Sequence, residues 1–111
     1  MTKYFLRIDT HENNFGSLNQ LFDYTKPQNL KFFWEYTISE NDSDFVGGIE
    51  KILAKLEQNL DKIKHFNISV EDISFWYFYE YSNQCNMEFS PIQLKLIGNL
   101  GITFCISCWE K

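Results

Sequence analysis

The chain has 111 residues, enough for a single domain that buries roughly two-thirds of its unfolded surface and too few for a second. Hydrophobic residues make up 44% and aromatics 18% with only two prolines, which excludes a disordered chain, whose sparse apolar surface would leave its ordering entropy unopposed. A formal charge of −5 argues against nucleic-acid binding by phosphate neutralisation, which needs a stripe of Lys and Arg, and matches a basic partner better.

Residues 4–9 alternate apolar Tyr4, Leu6 and Ile8 with Arg7 and Asp9 and so predict a first strand, with Phe5 as the exception. Leu18, Leu21 and Phe22 follow a Gly16-Ser17 start at helical spacing, which predicts a short helix or an ordered loop before Pro27. Residues 30–38 alternate through Leu30, Phe32, Trp34, Tyr36 and Ile38 and predict a strand. Turn and cap residues at 41–44 then introduce the clearest helix, residues 45–64, where Ile49, Ile52, Leu53, Leu56, Leu60 and Ile63 form one apolar stripe.

Residues 73–81 read Ile-Ser-Phe-Trp-Tyr-Phe-Tyr-Glu-Tyr, a strand with bulky aromatics on both faces. Ile73, Phe75, Tyr77, Tyr79 and Tyr81 line one face and Trp76 and Phe78 the other. One helix layer hides one face, and burying a ring is worth about 2–3 kcal/mol, so the second face calls for further cover. The polar tips and acidic neighbours of the tyrosines make their row the expected partly exposed side. Turn residues at 82–86 then predict a hairpin into a short strand through Met87 and Phe89. Ser90-Pro91 opens a helix that Gly101 caps, and residues 102–109 alternate as a last strand. The expected fold is a single α+β domain over residues 1–111, mainly an antiparallel sheet of about five strands with two or three helices packed on it.

The acids are unevenly spread. Glu35, Glu40, Asp42, Asp44 and Glu50 run without an intervening base, and Glu71, Asp72, Glu80 and Glu88 fall in a window, residues 65–94, that holds no Lys or Arg. Glu80 and Glu88, on the two arms of the expected hairpin, would form a small negative patch bordered by Tyr77, Tyr79 and Tyr81. Large rigid rings with polar tips beside acids suit a protein interface. The candidate partner-binding set is therefore Asp42, Asp44, Glu71, Asp72, Tyr77, Tyr79, Glu80, Tyr81 and Glu88.

No nucleophile motif, phosphate loop or dinucleotide fingerprint occurs, so no catalytic residue and no cofactor is expected. Cys105 and Cys108 have the spacing of a zinc or redox pair. On a strand, residues three apart face opposite ways, so the pair reads as buried free thiols, no metal is expected, and exposed Cys85 has adventitious oxidation as its chemistry. His11 falls in a polar loop and His65 at a helix end, where the helix dipole attracts it. Gly47-Gly48 reads as a helix start or a close-packing point. The first residues lack a signal peptide's apolar core, no stretch reaches membrane-spanning length, and three cysteines suit a reducing compartment, which together predict a cytoplasmic protein.

In its C-terminal segments, residues 72–81, 84–91 and 100–110, the chain resembles the immunity proteins of bacterial contact-dependent growth inhibition and related polymorphic toxin systems. That resemblance implies a non-enzymatic protein that binds a cognate toxin domain, often a nuclease such as a ribonuclease, and covers its active site. It carries over no residue by motif. A negative protein would be steered to the basic cleft of a nuclease, which agrees with the charge. The other expectation is a homodimeric structural or regulatory module whose uncovered aromatic face closes on its own copy.

Overall fold

In a computed structural model, which describes residues 2–111, the chain folds as β1 (Lys3–Asp9), α1 (Phe15–Phe22), β2 (Phe33–Ser39), α2 (Gly48–Lys64), β3 (Ile73–Tyr81), α3 (Pro91–Leu100) and β4 (Thr103–Glu110). One four-stranded sheet runs in the order β2-β1-β3-β4. β1 lies antiparallel to β2 and to β3, whereas β4 lies parallel to β3 and reaches it through α3. The α+β class agrees with the sequence. The sheet is mixed and four-stranded rather than mainly antiparallel with about five strands.

The missing strand is the one expected through Met87 and Phe89. Both edges of β3 are occupied, by β1 and by β4, so no ladder is left for a hairpin arm. Residues 82–90 instead turn across the sheet, and Phe89 packs edge-on against Tyr77 and Phe104 at ring distances of 5.3 and 4.9 Å.

Register fixes which side chains share a face. Tyr4, Leu6 and Ile8 stand opposite Ile38, Tyr36 and Trp34 on one side and Tyr77, Phe75 and Ile73 on the other. All of these but Tyr77, which packs against the border, form a single buried cluster with Leu18 and Phe22 of α1, the apolar stripe of α2, and Ile97 and Leu100 of α3. All three helices therefore cover the same face of the sheet. The buried Trp34 indole donates to Asn19 Oδ1 at 2.8 Å, and Lys55 of α2 donates to the terminal carbonyl of Phe22 at 2.9 Å, locking α1 to its neighbours.

β2 begins at Phe33, three residues later than expected, and leaves Leu30 and Phe32 exposed. Ahead of it, the Gln28 side-chain amide donates to the Glu35 carbonyl and accepts from the Glu35 N–H, at 2.8 and 2.9 Å, and the Tyr24 hydroxyl accepts from the Thr37 N–H. The outer edge of β2 is thereby closed by side chains. Among the described residues, no backbone hydrogen bond reaches the outer edge of β4, where Ile106 is 49% exposed. No helix there is long and apolar enough to cross a membrane.

α2 starts at Gly48 rather than at residue 45. Residues before it form tight turns, and Gly47 takes φ +78° at the N-cap, a left-handed conformation that glycine adopts without a steric cost. Gly48 lies against Tyr4, whose hydroxyl donates to the Phe45 carbonyl. Burial, followed by the charges of Asp44 and Glu50, pushes the Tyr4 phenol up and keeps it a donor. A Cβ at position 48 would overlap the Tyr4 hydroxyl and stand 3.0 Å from Ile38 Cδ1. Gly48→Ala should destabilise the protein by about 1–3 kcal/mol, read as a lower urea midpoint with unchanged slope. An unchanged midpoint would mean that Tyr4 yields without loss.

Candidate protein-binding face

The other face of the sheet carries no helix. Strand parity places Phe5 and Arg7 of β1, Trp76 and Phe78 of β3, and Trp109 of β4 on it, because they alternate with the residues of the helix-covered cluster. Phe5 is only 3% exposed and yet lies outside that cluster. Neighbours on its own face bury it. Trp76 stacks on it at 5.8 Å with the rings 7° from parallel, and Phe78 packs at 5.5 Å.

Two cations complete the cover. The Arg7 guanidinium lies 5.4, 4.9 and 5.2 Å from the ring centres of Phe5, Phe33 and Trp76. Lys3 Nζ stands 5.3 Å over Phe78. Each such contact is worth about 0.5–1 kcal/mol at a partly exposed site, and the aliphatic stems hide ring surface besides. Glu35 Oε2 holds the Arg7 fork, accepting from Nε at 2.8 Å and from the terminal nitrogen at 2.6 Å. Trp76 donates its indole N–H to Ser74 Oγ at 2.8 Å, so the ring has no unmet polar demand. At the edge, Trp109 meets Phe78 at 5.5 Å and remains 39% exposed. The result is a continuous aromatic slab with charged residues set into it.

This arrangement corrects the expectation about the tyrosine row. Tyr77, Tyr79 and Tyr81 are half-buried, but they continue the parity of the core residues Ile73 and Phe75 and lie on the helix side, where Phe89 covers Tyr77. The helix-free side belongs to Trp76 and Phe78. The signal for it was Phe5, the residue that broke the alternation of the first strand. Once β1 is paired with β3, Phe5 falls opposite Trp76.

The acids of the candidate set do not gather in one place. Asp42 and Asp44 follow β2, beside the end of the sheet where Ser39, Lys3 and Phe78 align, and each has a cation: Lys26 lies 3.0 Å from Asp42 and Lys51 lies 3.6 Å from Asp44. Glu71 and Asp72 form a single 3-10 turn at the opposite end, where Asp72 accepts from the Ser69 N–H in a capping box. Glu80 stands on the helix-free face, in register with Trp109. Glu88 is exposed in the segment 82–90 and is not on a strand paired with Glu80, which removes the expected hairpin patch.

The remaining candidates have structural partners. His11 Nδ1 accepts from the Asn13 N–H at 3.1 Å, and His65 Nδ1 lies 2.7 Å from the Asp61 carbonyl at the end of α2. Cys105 and Cys108 do diverge across β4, but they are half-buried and exposed rather than buried, because β4 is an edge strand. Among the described residues no group of three or more His, Cys, Asp or Glu could hold a metal ion.

Asp42 Oδ2 accepts from the Ser39 N–H at 2.9 Å, and this bond, followed by the one from Lys26, holds its carboxyl below the usual range. A folded-state pKa below the unfolded value gives stability that is present above the ordinary carboxylate range and lost as pH falls through the folded pKa. Asp42→Ala should therefore cost about 1 kcal/mol at neutral pH in urea melts, and the difference from the parent should shrink below about pH 4. A difference that grows on acidification would contradict this account.

Comparison with known proteins finds no matching family model, no matching curated protein and no matching solved structure.

Proposed function

We propose that this chain is an immunity protein that binds and neutralises a cognate toxin domain, a basic nuclease, and that it does so through the helix-free face of its sheet. The observation that carries the reading is the slab of Phe5, Trp76, Phe78 and Trp109, an aromatic surface with no layer of its own fold over it. Interface centres are enriched in Trp, Phe and Arg, and this face offers all three in a rigid arrangement, with Arg7 already held by Glu35. Rigid rings lose little entropy on docking, which favours affinity. The net charge of −5 supplies long-range attraction to a basic partner, and Glu80 adds an acid within the slab itself. Binding of this kind needs no catalytic group on the chain, only coverage of the partner's cleft.

A second reading, a homodimer, is favoured by one separate observation, the open edge of β4 beside exposed Ile106. Two copies can pair strand to strand there without a toxin.

Co-expression with the product of the gene immediately upstream, where this reading expects the toxin to be encoded, tests the first reading. Survival and co-purification are expected. In the purified pair, Trp76→Ala and Phe78→Ala should each weaken binding by about 30-fold or more, the scale of a hot-spot residue, with the variants' folding checked by circular dichroism. Charge reversal at Glu80 should slow association more at low salt than at high salt. Loss of neither survival nor affinity in the two ring variants would remove the slab from the contact. No rescue, together with a stable dimer by light scattering that persists on dilution, would replace the toxin reading with the homodimer.

A further inference from the structure

The helix-covered side of the sheet holds a pair of thiols that lie 23 positions apart in the sequence. After β3 the chain reverses at residues 82–84, where Asn83 takes φ +69° and the Gln84 N–H bonds the Ser82 carbonyl at 2.7 Å. It then runs back across the face of β3 and β4 until Phe89 seats on Phe104 at 4.9 Å. The returning segment is thus antiparallel to β4. Cys85 lies four residues before Phe89, and Cys108 lies four residues after Phe104. Four residues of extended chain span about 13 Å on either segment, so pinning Phe89 over Phe104 brings Cys85 over Cys108.

This spacing makes the two thiols neighbours. Both are free and exposed. Desolvation, followed by the influence of the neighbouring Cys108 thiol, pushes the Cys85 thiol up. Cys105 is on the opposite face of β4, in register with Trp76, and does not share this arrangement.

We propose that Cys85 and Cys108 form a reversible oxidation site, closing to an intramolecular disulfide that ties the segment 82–90 to the edge strand of the sheet. The oxidant is a low-molecular-weight disulfide such as oxidised glutathione. One protein thiol loses its proton and attacks a glutathione sulfur, and one glutathione thiolate leaves. The second protein thiol then loses its proton and attacks the protein sulfur of the mixed disulfide, releasing the other glutathione thiolate. The protein dithiol is oxidised by two electrons, the glutathione disulfide is reduced by two, and the two protons end on the two glutathione thiols. The site does not depend on the toxin reading, because it lies on the face opposite the aromatic slab.

The full chain and its Cys105→Ser variant, fully reduced, are equilibrated with mixtures of reduced and oxidised glutathione, blocked with N-ethylmaleimide and digested with trypsin. The expected product joins the peptide of residues 65–95 to that of residues 96–111 with loss of two hydrogens. It should form equally in Cys105→Ser, be absent in Cys85→Ser and Cys108→Ser, and form to an extent independent of protein concentration. Oxidation should raise the thermal midpoint by about 5 °C or more, since the bond closes a long loop already in its native arrangement. Glutathione adducts on both residues without the joined peptide, a bond through Cys105, a bond only between chains, or an unchanged or lower midpoint would each overturn the proposal.

Discussion

β1 has apolar residues on both faces and stands between β2 and β3, while the fold has helices for one face only. Everything else in the structure follows from how that imbalance is met. Tyr4, Leu6 and Ile8 take the helix side and draw α1, α2 and α3 onto it, with Gly48 admitting α2 close enough to touch Tyr4. Phe5 is left on the other side and is buried without a second layer. Its cover comes from in-register neighbours: Trp76 and Phe78 from β3, the guanidinium of Arg7 and the ammonium stem of Lys3. A side chain that strand periodicity alone would expose thus becomes one of the most buried in the protein. The cost is that the rings covering it are themselves half open to water.

Much of this was legible in the sequence, because periodicity and cap chemistry act locally. The span of β3 and the Ser90 and Gly101 caps of α3 are as the sequence predicts, since nothing distant competes with them. The failures are long-range. The hairpin after Tyr81 has good turn chemistry, but whether an arm can join a sheet depends on which edges are vacant, and β4, arriving from beyond α3, had taken the place. The side of the tyrosine row is decided in the same way. Polar tips argued for exposure, yet parity with Ile73 and Phe75 commits the row to the helix side, and a strand cannot turn one residue over without turning its neighbours. The acid clusters were visible as composition, whereas their separation to opposite ends of the sheet is a matter of strand direction.

The two faces divide the labour of the molecule. On one, an apolar cluster holds the helices and supplies cohesion. On the other, rings and fixed charges form a surface whose shape the sheet itself sets, so a protein docked there as proposed would have little ordering left to do. The Arg7 and Glu35 pair is internal to the slab, while Asp42 and Asp44 lie beyond one end of the sheet and Glu71 and Asp72 beyond the other.

The two rims of the sheet are also unequal. Gln28 and Tyr24 occupy the Glu35 backbone groups and the Thr37 N–H on the outer rim of β2, whereas the far rim of β4 keeps its backbone groups unpaired among the described residues. A sheet with vacancies on both rims can recruit copies without end, as fibres do. With one rim already stoppered, each copy offers a single ladder, and two copies that meet exhaust both. Edge-to-edge pairing of two such copies would end at a closed pair, because Gln28 already fills the Glu35 groups that a further copy would need.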